Sequence, residues 1–502
     1  QLLLSQGQGG EVRGHVSKVA SPGHHRLSTS YLMWSLLCTT LGEIKTILKP
    51  ALSPVIKNRP FNVFWAAPTM QCQHFFNVDL NLQLFNILSN PLEAQRGSTI
   101  AIFYPNELGY YPYFSQEGKP FNGGIPQNMN LSEHLKKAAD DIANVISLWR
   151  SEGLVVIDWE SWKPQWDRNW GNRLIYKNYS LAFTRNRHPD WSEMKVNTVA
   201  QQEFENAGRS FMHTTLALAL EMRPKCLWGF YLYPDCYNYD YKINPQTYTG
   251  KCPNDEIFRN DQLQWLWEKS TALYTSIYLD KILKSSLNAL KFVHYRVREA
   301  MRIAEMARHD YILPVFIFSR PFYLSSEDLV HTIGESAALG AAGIILWGGY
   351  EYSDSKVSND FSSIQGPLGH YAVNVTSAAK FCSQSLCNNN GRCIRKTPES
   401  SSYLHMPESS TKKYILSKSF RFIISPTSKL KTIKAMKNGF VCHCYYGWHG
   451  ESCQRHSSDL LRGKSKAPMT NFNLSVFLSM TLSMILWNSV TPYFNVNFSL
   501  KY

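Results

Sequence analysis

Three signatures are absent from this 502-residue sequence. It has no GxxxxGK[ST] phosphate loop, no GxGxxG behind its first apolar run and no HExxH pair, so nucleotide, dinucleotide and zinc-hydrolase chemistries lack their residues. No cofactor, no metal ion and no nucleic-acid partner is expected. Acid is scarce: 38 Asp and Glu against 52 Lys and Arg leave a formal charge of +14. The surplus concentrates at 394–440, where ten Lys/Arg face only Glu399 and Glu408. Such a surface speeds encounter with a polyanion, and a solvated basic loop explains it equally well. What the chain has in quantity is apolar and aromatic bulk, 44% and 13%, which excludes overall disorder and allows one large core with a small appendage.

The apolar run YLMWSLLCTTL at 31–41 is too short to span a bilayer and has the length of a signal-peptide core, so residues 1–45 are expected to be an extension carrying a signal-like segment. A second run, LSVFLSMTLSMILW at 474–487, follows a polar, basic spacer as a lipid-anchor signal does, but the polar tail NVNFSLKY follows it. Anchor signal, weak membrane segment and disordered tail stay open for 456–502. Six of eleven cysteines crowd into 382–453, and Asn-X-Ser/Thr sequons stand at Asn130, Asn178 and Asn374, together pointing to an oxidising, secretory environment. CSQSLCNNNGRC and CHCYYGWHGESC carry the C-X-C and aromatic-glycine turn of an EGF-like module at 380–455. Structural zinc, the alternative, usually takes paired C-X2-4-C ligands.

Seven short apolar runs lie between 60 and 350: FNVFW, TIAIFYP, LVVIDWE, LWGFYLYP, LYTSIYL, LPVFIF and AGIILWGGY. Most gaps between them have helical periodicity, as at 131–152, where Leu131, Leu135, Ala138, Ile142, Val145, Ile146 and Trp149 fall on one face. Strand and helix alternating in this way predict a parallel sheet covered on both faces, and its closed form is an α/β fold: a distorted, TIM-like β/α barrel of about seven strands over 58–375. Chemistry in such folds sits at the carboxyl ends of the strands. There the sequence puts Asp158 and Glu160, Tyr231 and Asp235, and Trp347 and Tyr350. Acids and aromatics around one rim suit a carbohydrate cleft.

Asp158 and Glu160, two apart, face one space with Trp159 turned away. One of two such close acids holds its proton to higher pH, giving a proton donor and an ionised partner for glycosidic cleavage. Neighbours on one strand cannot flank a sugar from opposite sides, as a retaining enzyme with a protein nucleophile requires. A 2-acetamido sugar removes the difficulty, its own carbonyl oxygen attacking while Asp158 orients it and Glu160 protonates the leaving oxygen.

FYPNELGYYPYF, GGIPQN, VIDWESWKPQW, LWGFYLYPDCYNY, NDQLQWLWEKSTALY and TIGESAALGAAGIILWGG, in this order over about 58–455, resemble the hyaluronidase family, with a flavour of its sperm-surface and chondroitin-preferring members. The resemblance implies a β/α barrel joined to an EGF-like module, and an extracellular endo-β-N-acetylhexosaminidase acting on hyaluronan, with chondroitin as a further substrate. The protein would be monomeric, secreted or anchored at its C-terminus, at the sperm surface or acrosome. It implies Glu160 as proton donor, Asp158 as partner of the acetamide, Tyr231 and Tyr274 as hydroxyls near the reactive sugar, and Tyr111, Asp235, Trp347 and Lys163 as cleft residues. It also implies disulfides Cys236–Cys252, Cys382–Cys393, Cys387–Cys442 and Cys444–Cys453, with the basic insert 394–440 bulging from the module. The chain departs from the family at Lys163, where relatives have Arg, at Ala66, where they have Asn, at Thr275, where Pro is common, and at Asn359, which leaves Cys72 without its usual partner. A catalytically weak or inactive binding protein of the cell surface is the alternative these departures raise.

Overall fold

The structure, a computed structural model, describes residues 48–69, 81–91, 96–321, 325–349, 364–416 and 421–458. The segments at 31–41 and 474–487, and Cys38, Cys72, Tyr350 and Asn359, lie outside them.

Each of the seven apolar runs contains a parallel strand: β1 Asn62–Ala66, β2 Ile100–Phe103, β3 Leu154–Ile157, β4 Leu227–Phe230, β5 Leu273–Ser276, β6 Val315–Ser319 and β7 Gly343–Trp347. They pair as two sheets, ordered β1-β7-β6-β5 and β2-β3-β4. Alternate residues of the same strands feed two apolar clusters. Val63, Trp65, Phe103, Val155, Trp228 and Ile317 face the helices. Phe64, Ile102, Val156, Tyr274, Phe316 and Ile345 form an inner cluster drawn from both sheets. With both faces buried, these strands read as continuous apolar runs.

The two sheets meet along two seams. At one, Thr271 and Ala272 N–H both donate to Trp228 O, at 2.9 and 3.1 Å, and Tyr231 bridges Tyr274. Gly229 permits this approach, since a Cβ there would stand 2.3 Å from Ala272 O. At the other, Leu88 exchanges hydrogen bonds with Val63 and Trp65 on the edge of β1. Two residues on, the Asn90 amide serves as an extra rung for β2, donating to Ile100 O at 2.7 Å and accepting from Thr99 and Ile100 N–H.

Helix α1, Leu131–Val145, starts where Asn130 Oδ1 accepts from Glu133 N–H. It is shorter than the periodicity predicts: the last helical bond is Ile146 N–H donating to Ile142 O at 2.9 Å, and Trp149 is 59% exposed on the far side of the stop. The buried stripe is His134, Ala138 and Ile142, with His134 Nε2 bonded to Thr215 Oγ1 at 2.9 Å. Helix α2, Leu174–Arg187, packs on α3, Glu193–Met222, which in turn packs on α1.

A further helix, α4, Leu287–Ala307, leads into β6, and α5, Gly369–Leu386, runs straight through the expected boundary at 375–380. Beyond it, β8 Gly391–Arg395 pairs antiparallel with β11 Phe440–Cys444. The insert between them holds a hairpin, β9 Thr411–Leu416 with β10 Arg421–Pro426, and helix α6, Lys429–Gly439. Disulfides join Cys382 to Cys393, Cys387 to Cys442 and Cys444 to Cys453, and Cys236 to Cys252 in the β4–β5 connection. Cys226 is a buried free thiol.

Candidate active site

β3 ends at Ile157, and the next residue keeps the ladder going, Asp158 N–H donating to Phe103 O at 2.9 Å. Trp159 then turns into the core, stacked on Tyr111 at 4.9 Å between ring centroids. The acids on either side of it share the opposite space, where the two carboxyl groups hydrogen-bond. Burial, the charge of Glu160 and that hydrogen bond raise the Asp158 pKa to about 8, with Lys163 pulling the other way. At neutral pH the pair therefore retains a proton. Asp158 Oδ1 is buried without a hydrogen-bond partner.

The segment after Glu160 is pinned rather than loose. Arg173 donates to Glu160 O from Nε at 3.2 Å and Nη2 at 3.0 Å, a fork that fixes the backbone carrying the acid. The Asn169 amide accepts from Lys163 N–H and donates to Lys163 O and Gln165 O, all within 3.0 Å. Lys163 is thereby held inward, 4% exposed, with Nζ 4.4 Å from the Tyr233 ring centre and no hydrogen-bond partner. Burial pulls its pKa down to about 8 despite the favourable fields of Asp235 and Glu160. Asp235 is also buried, which alone would raise its pKa, but Arg296, Lys163, Arg168 and the Cys236 N–H hold it low.

Opposite the acids stands an aromatic wall. The Tyr231 and Tyr278 rings lie side by side, their centroids 6.4 Å apart, and Tyr231 packs edge-on against Phe318 at 4.9 Å. Burial, then the negative charge of Glu160, pushes the Tyr231 hydroxyl pKa up, so it stays a proton donor. The Tyr278 ring stacks on Trp347 at 6.0 Å, Trp347 Nε1 donates to Tyr104 OH at 3.0 Å, and the Arg320 guanidinium lies 4.9 Å from the Tyr278 ring centre. Paired acids with one proton, an unpartnered buried acceptor and a flat aromatic wall can hold a sugar ring and protonate a leaving oxygen.

The family profile described as hyaluronidase matches residues 50–457. Hyaluronidase-1 of Cerastes cerastes is 51% identical over 417 residues, covering 81% of this chain and 93% of that protein. Hyaluronidase-1 of Bitis arietans is 50% identical over 425 residues, with the same coverage. Bee venom hyaluronidase, solved in complex with a hyaluronic acid tetramer, is 32% identical with a TM-score of 0.55, covering 62% of this chain and 98% of its own. The chain belongs to the hyaluronidase family. It is a glycosidase.

Not every residue singled out in this hyaluronidase sequence reaches the site. Asp158, Glu160, Tyr231, Lys163, Asp235 and Trp347 gather at the carboxyl ends of β3, β4 and β7 or in the loops beyond them. Tyr274 does not: it sits inside β5, fully buried, and its hydroxyl donates to Leu227 O at 2.6 Å, at the opposite end of the strands. Tyr278, two residues past the end of β5, takes the place by Tyr231. The strand-end rule that selected Asp158 points to Tyr278 as well, because LYTS buries Tyr274 mid-run. Tyr111 is also a packing residue, 1% exposed between Trp159 and Trp162, and its hydroxyl oxygen accepts from Trp162 N–H at 3.3 Å. It shapes the loop bearing Glu160 from behind. Ala66 is buried at the end of β1, and Thr275 Oγ1 donates to Pro234 O at 3.0 Å.

Of the sequons, Asn130 is exposed at the N-cap of α1 and Asn178 is exposed on α2, while the Asn374 amide is tied to Met406, donating to its carbonyl and accepting from its N–H, both at 2.8 Å. Among the described residues no helix is long and apolar enough to cross a membrane.

Proposed function

We propose that this enzyme is an extracellular endo-β-N-acetylhexosaminidase that cleaves hyaluronan, with chondroitin as a further substrate, with retention through substrate assistance. The observation that carries the mechanism is the hydrogen-bonded pair Asp158–Glu160 with its bare Asp158 Oδ1. Two carboxyls in contact on one side cannot straddle a sugar at the roughly 5 to 5.5 Å that a protein nucleophile needs, nor leave the wider gap for an inverting water. An acetamide N–H meeting Oδ1 stabilises ionised Asp158, and the pair's proton moves to Glu160. The oriented acetamide oxygen attacks the anomeric carbon as Glu160 delivers that proton to the leaving oxygen. Glu160 carboxylate then takes a proton from water, which opens the cyclic intermediate. Tyr231 and Tyr278 donate toward the acetamide, and Trp347 offers its face to the sugar.

The bee venom enzyme's complex with a hyaluronic acid tetramer and the relatives' names support the substrate, and venom sources support an extracellular setting. The seams at Gly229 and Asn90 favour closure of the seven strands into a distorted barrel, and the three C-terminal disulfides favour an EGF-like module. Reducing ends released from hyaluronan and from chondroitin, measured from pH 3 to 8 beside a Glu160→Gln variant, test the assignment. Release that depends on Glu160 supports it; equal release by both proteins would remove Glu160 from the chemistry, and polymer binding without release would favour a binding protein.

A further inference from the structure

From 409 to 450 the chain has no Asp or Glu, yet carries eight Lys and Arg. Half of these lie on α6, in KLKTIKAMKNG, where Lys429, Lys431, Lys434 and Lys437 are all exposed. Lys431, Lys434 and Lys437 recur every third residue, so their ammonium groups follow one another along one face about 4.5 Å apart in rise. The face is fixed in place. Met436 is buried beneath it, Lys396 Nζ donates to Lys437 O at 2.6 Å, and Cys442, just beyond the helix, is bonded to Cys387.

The charges do not serve the helix. Lys429 and Lys431 occupy its first turn, the positive end of the dipole, where cations are unfavourable and no acid is present. Lys431 with Lys434, and Lys434 with Lys437, are like-charged neighbours that repel. None of the four is in an ion pair among the described residues, whereas Glu399, an acid within the insert, pairs with Arg298. Four cations without ion-pair partners on a fixed face match a line of negative charge.

We infer that the lysine face of α6 is a second binding site for an acidic polysaccharide, holding a stretch of the polymer away from the cleft. The inference rests on the proposed function in taking that polymer as partner. An ammonium stripe without aromatic or guanidinium side chains suits repeating carboxylate or sulfate groups, read by charge spacing rather than by shape.

The test uses the full chain bearing Glu160→Gln, with and without Lys431→Glu, Lys434→Glu and Lys437→Glu, on immobilised hyaluronan and chondroitin sulfate. At low salt the triple reversal is expected to weaken retention at least about tenfold, and the difference to close as salt rises toward about 0.5 M. In the otherwise wild-type enzyme, KM for long polymer should rise while KM and kcat for a short oligosaccharide stay unchanged. If the reversed protein loses oligosaccharide turnover through misfolding, Lys→Gln at the same three positions is expected to give a smaller, salt-sensitive loss. Retention unchanged by either variant overturns the inference. Loss confined to phosphatidylserine vesicles overturns it too, in favour of a lipid surface. Salt-dependent retention without any turnover by the wild-type enzyme keeps this site and sinks the catalytic proposal instead.

Discussion

Burial moves two residues of this site toward pH 8 from opposite sides. Asp158 is raised there from 3.8 by burial and Glu160, and Lys163 is lowered there from 10.5 by burial. Above about pH 8 the acid pair loses its proton and the ammonium beside it loses its charge. We expect kcat/KM to fall steeply on that limb, and a Lys163→Arg variant, which cannot deprotonate, to keep only the Asp158 part of the fall, about tenfold per pH unit. The same shift has a stability sign. A carboxyl whose folded pKa exceeds its unfolded value binds extra protons in the native state, so its contribution is present at acid pH and is lost as pH rises from about 4 to about 8. Asp158→Asn is therefore expected to match the wild type near pH 4 and to exceed it by about 1–3 kcal/mol near pH 8, while losing activity; denaturant unfolding at both pH values measures this. The two tyrosines of LYTSIY separate in the same way. Tyr278→Phe should lower kcat about tenfold or more with little change in stability, whereas Tyr274→Phe, which strands the Leu227 carbonyl, should cost about 1–2 kcal/mol and leave kcat intact.

At the scale of elements, the C-terminal strands are locked to the strand-and-helix body through a buried charge cluster. Glu335, fully buried in the helical segment before β7, takes a bidentate ion pair from Arg395 of β8 and a hydrogen bond from His294 of α4 at 2.7 Å. Burial works to raise the Glu335 pKa, and these two partners outweigh it and hold it low. Its contribution is therefore present above the ordinary carboxylate range and lost on acidification through the depressed value. Glu335→Ala, leaving Arg395 buried and unpaired, should cost about 3–5 kcal/mol by urea unfolding. Residues 50–51 add a second tie, Ala51 bonding Cys444 and Tyr446 on one side and Pro50 bonding Ile312 on the other. The seven strands were legible in the sequence because burial on both faces makes each an unbroken apolar run. The end of α1 was not, since apolar spacing continues through Trp149 although the helix has already stopped.

For the whole molecule, the paired acids were legible because a strand aimed them, whereas Tyr111 and Tyr274 were misplaced because an aromatic side chain reads alike whether it packs or lines a cleft. The long-range ties, Arg173 on Glu160 and Asn90 on β2, join residues whose partners no local pattern indicates. For these parts we propose that one face of the sugar meets both carboxyls and that the substrate's own acetamide attacks from the other. Real-time NMR of the reducing end first released from hyaluronan tests it most directly. Retention, with the new end appearing first as the β anomer, is expected; first appearance of the α anomer would contradict it.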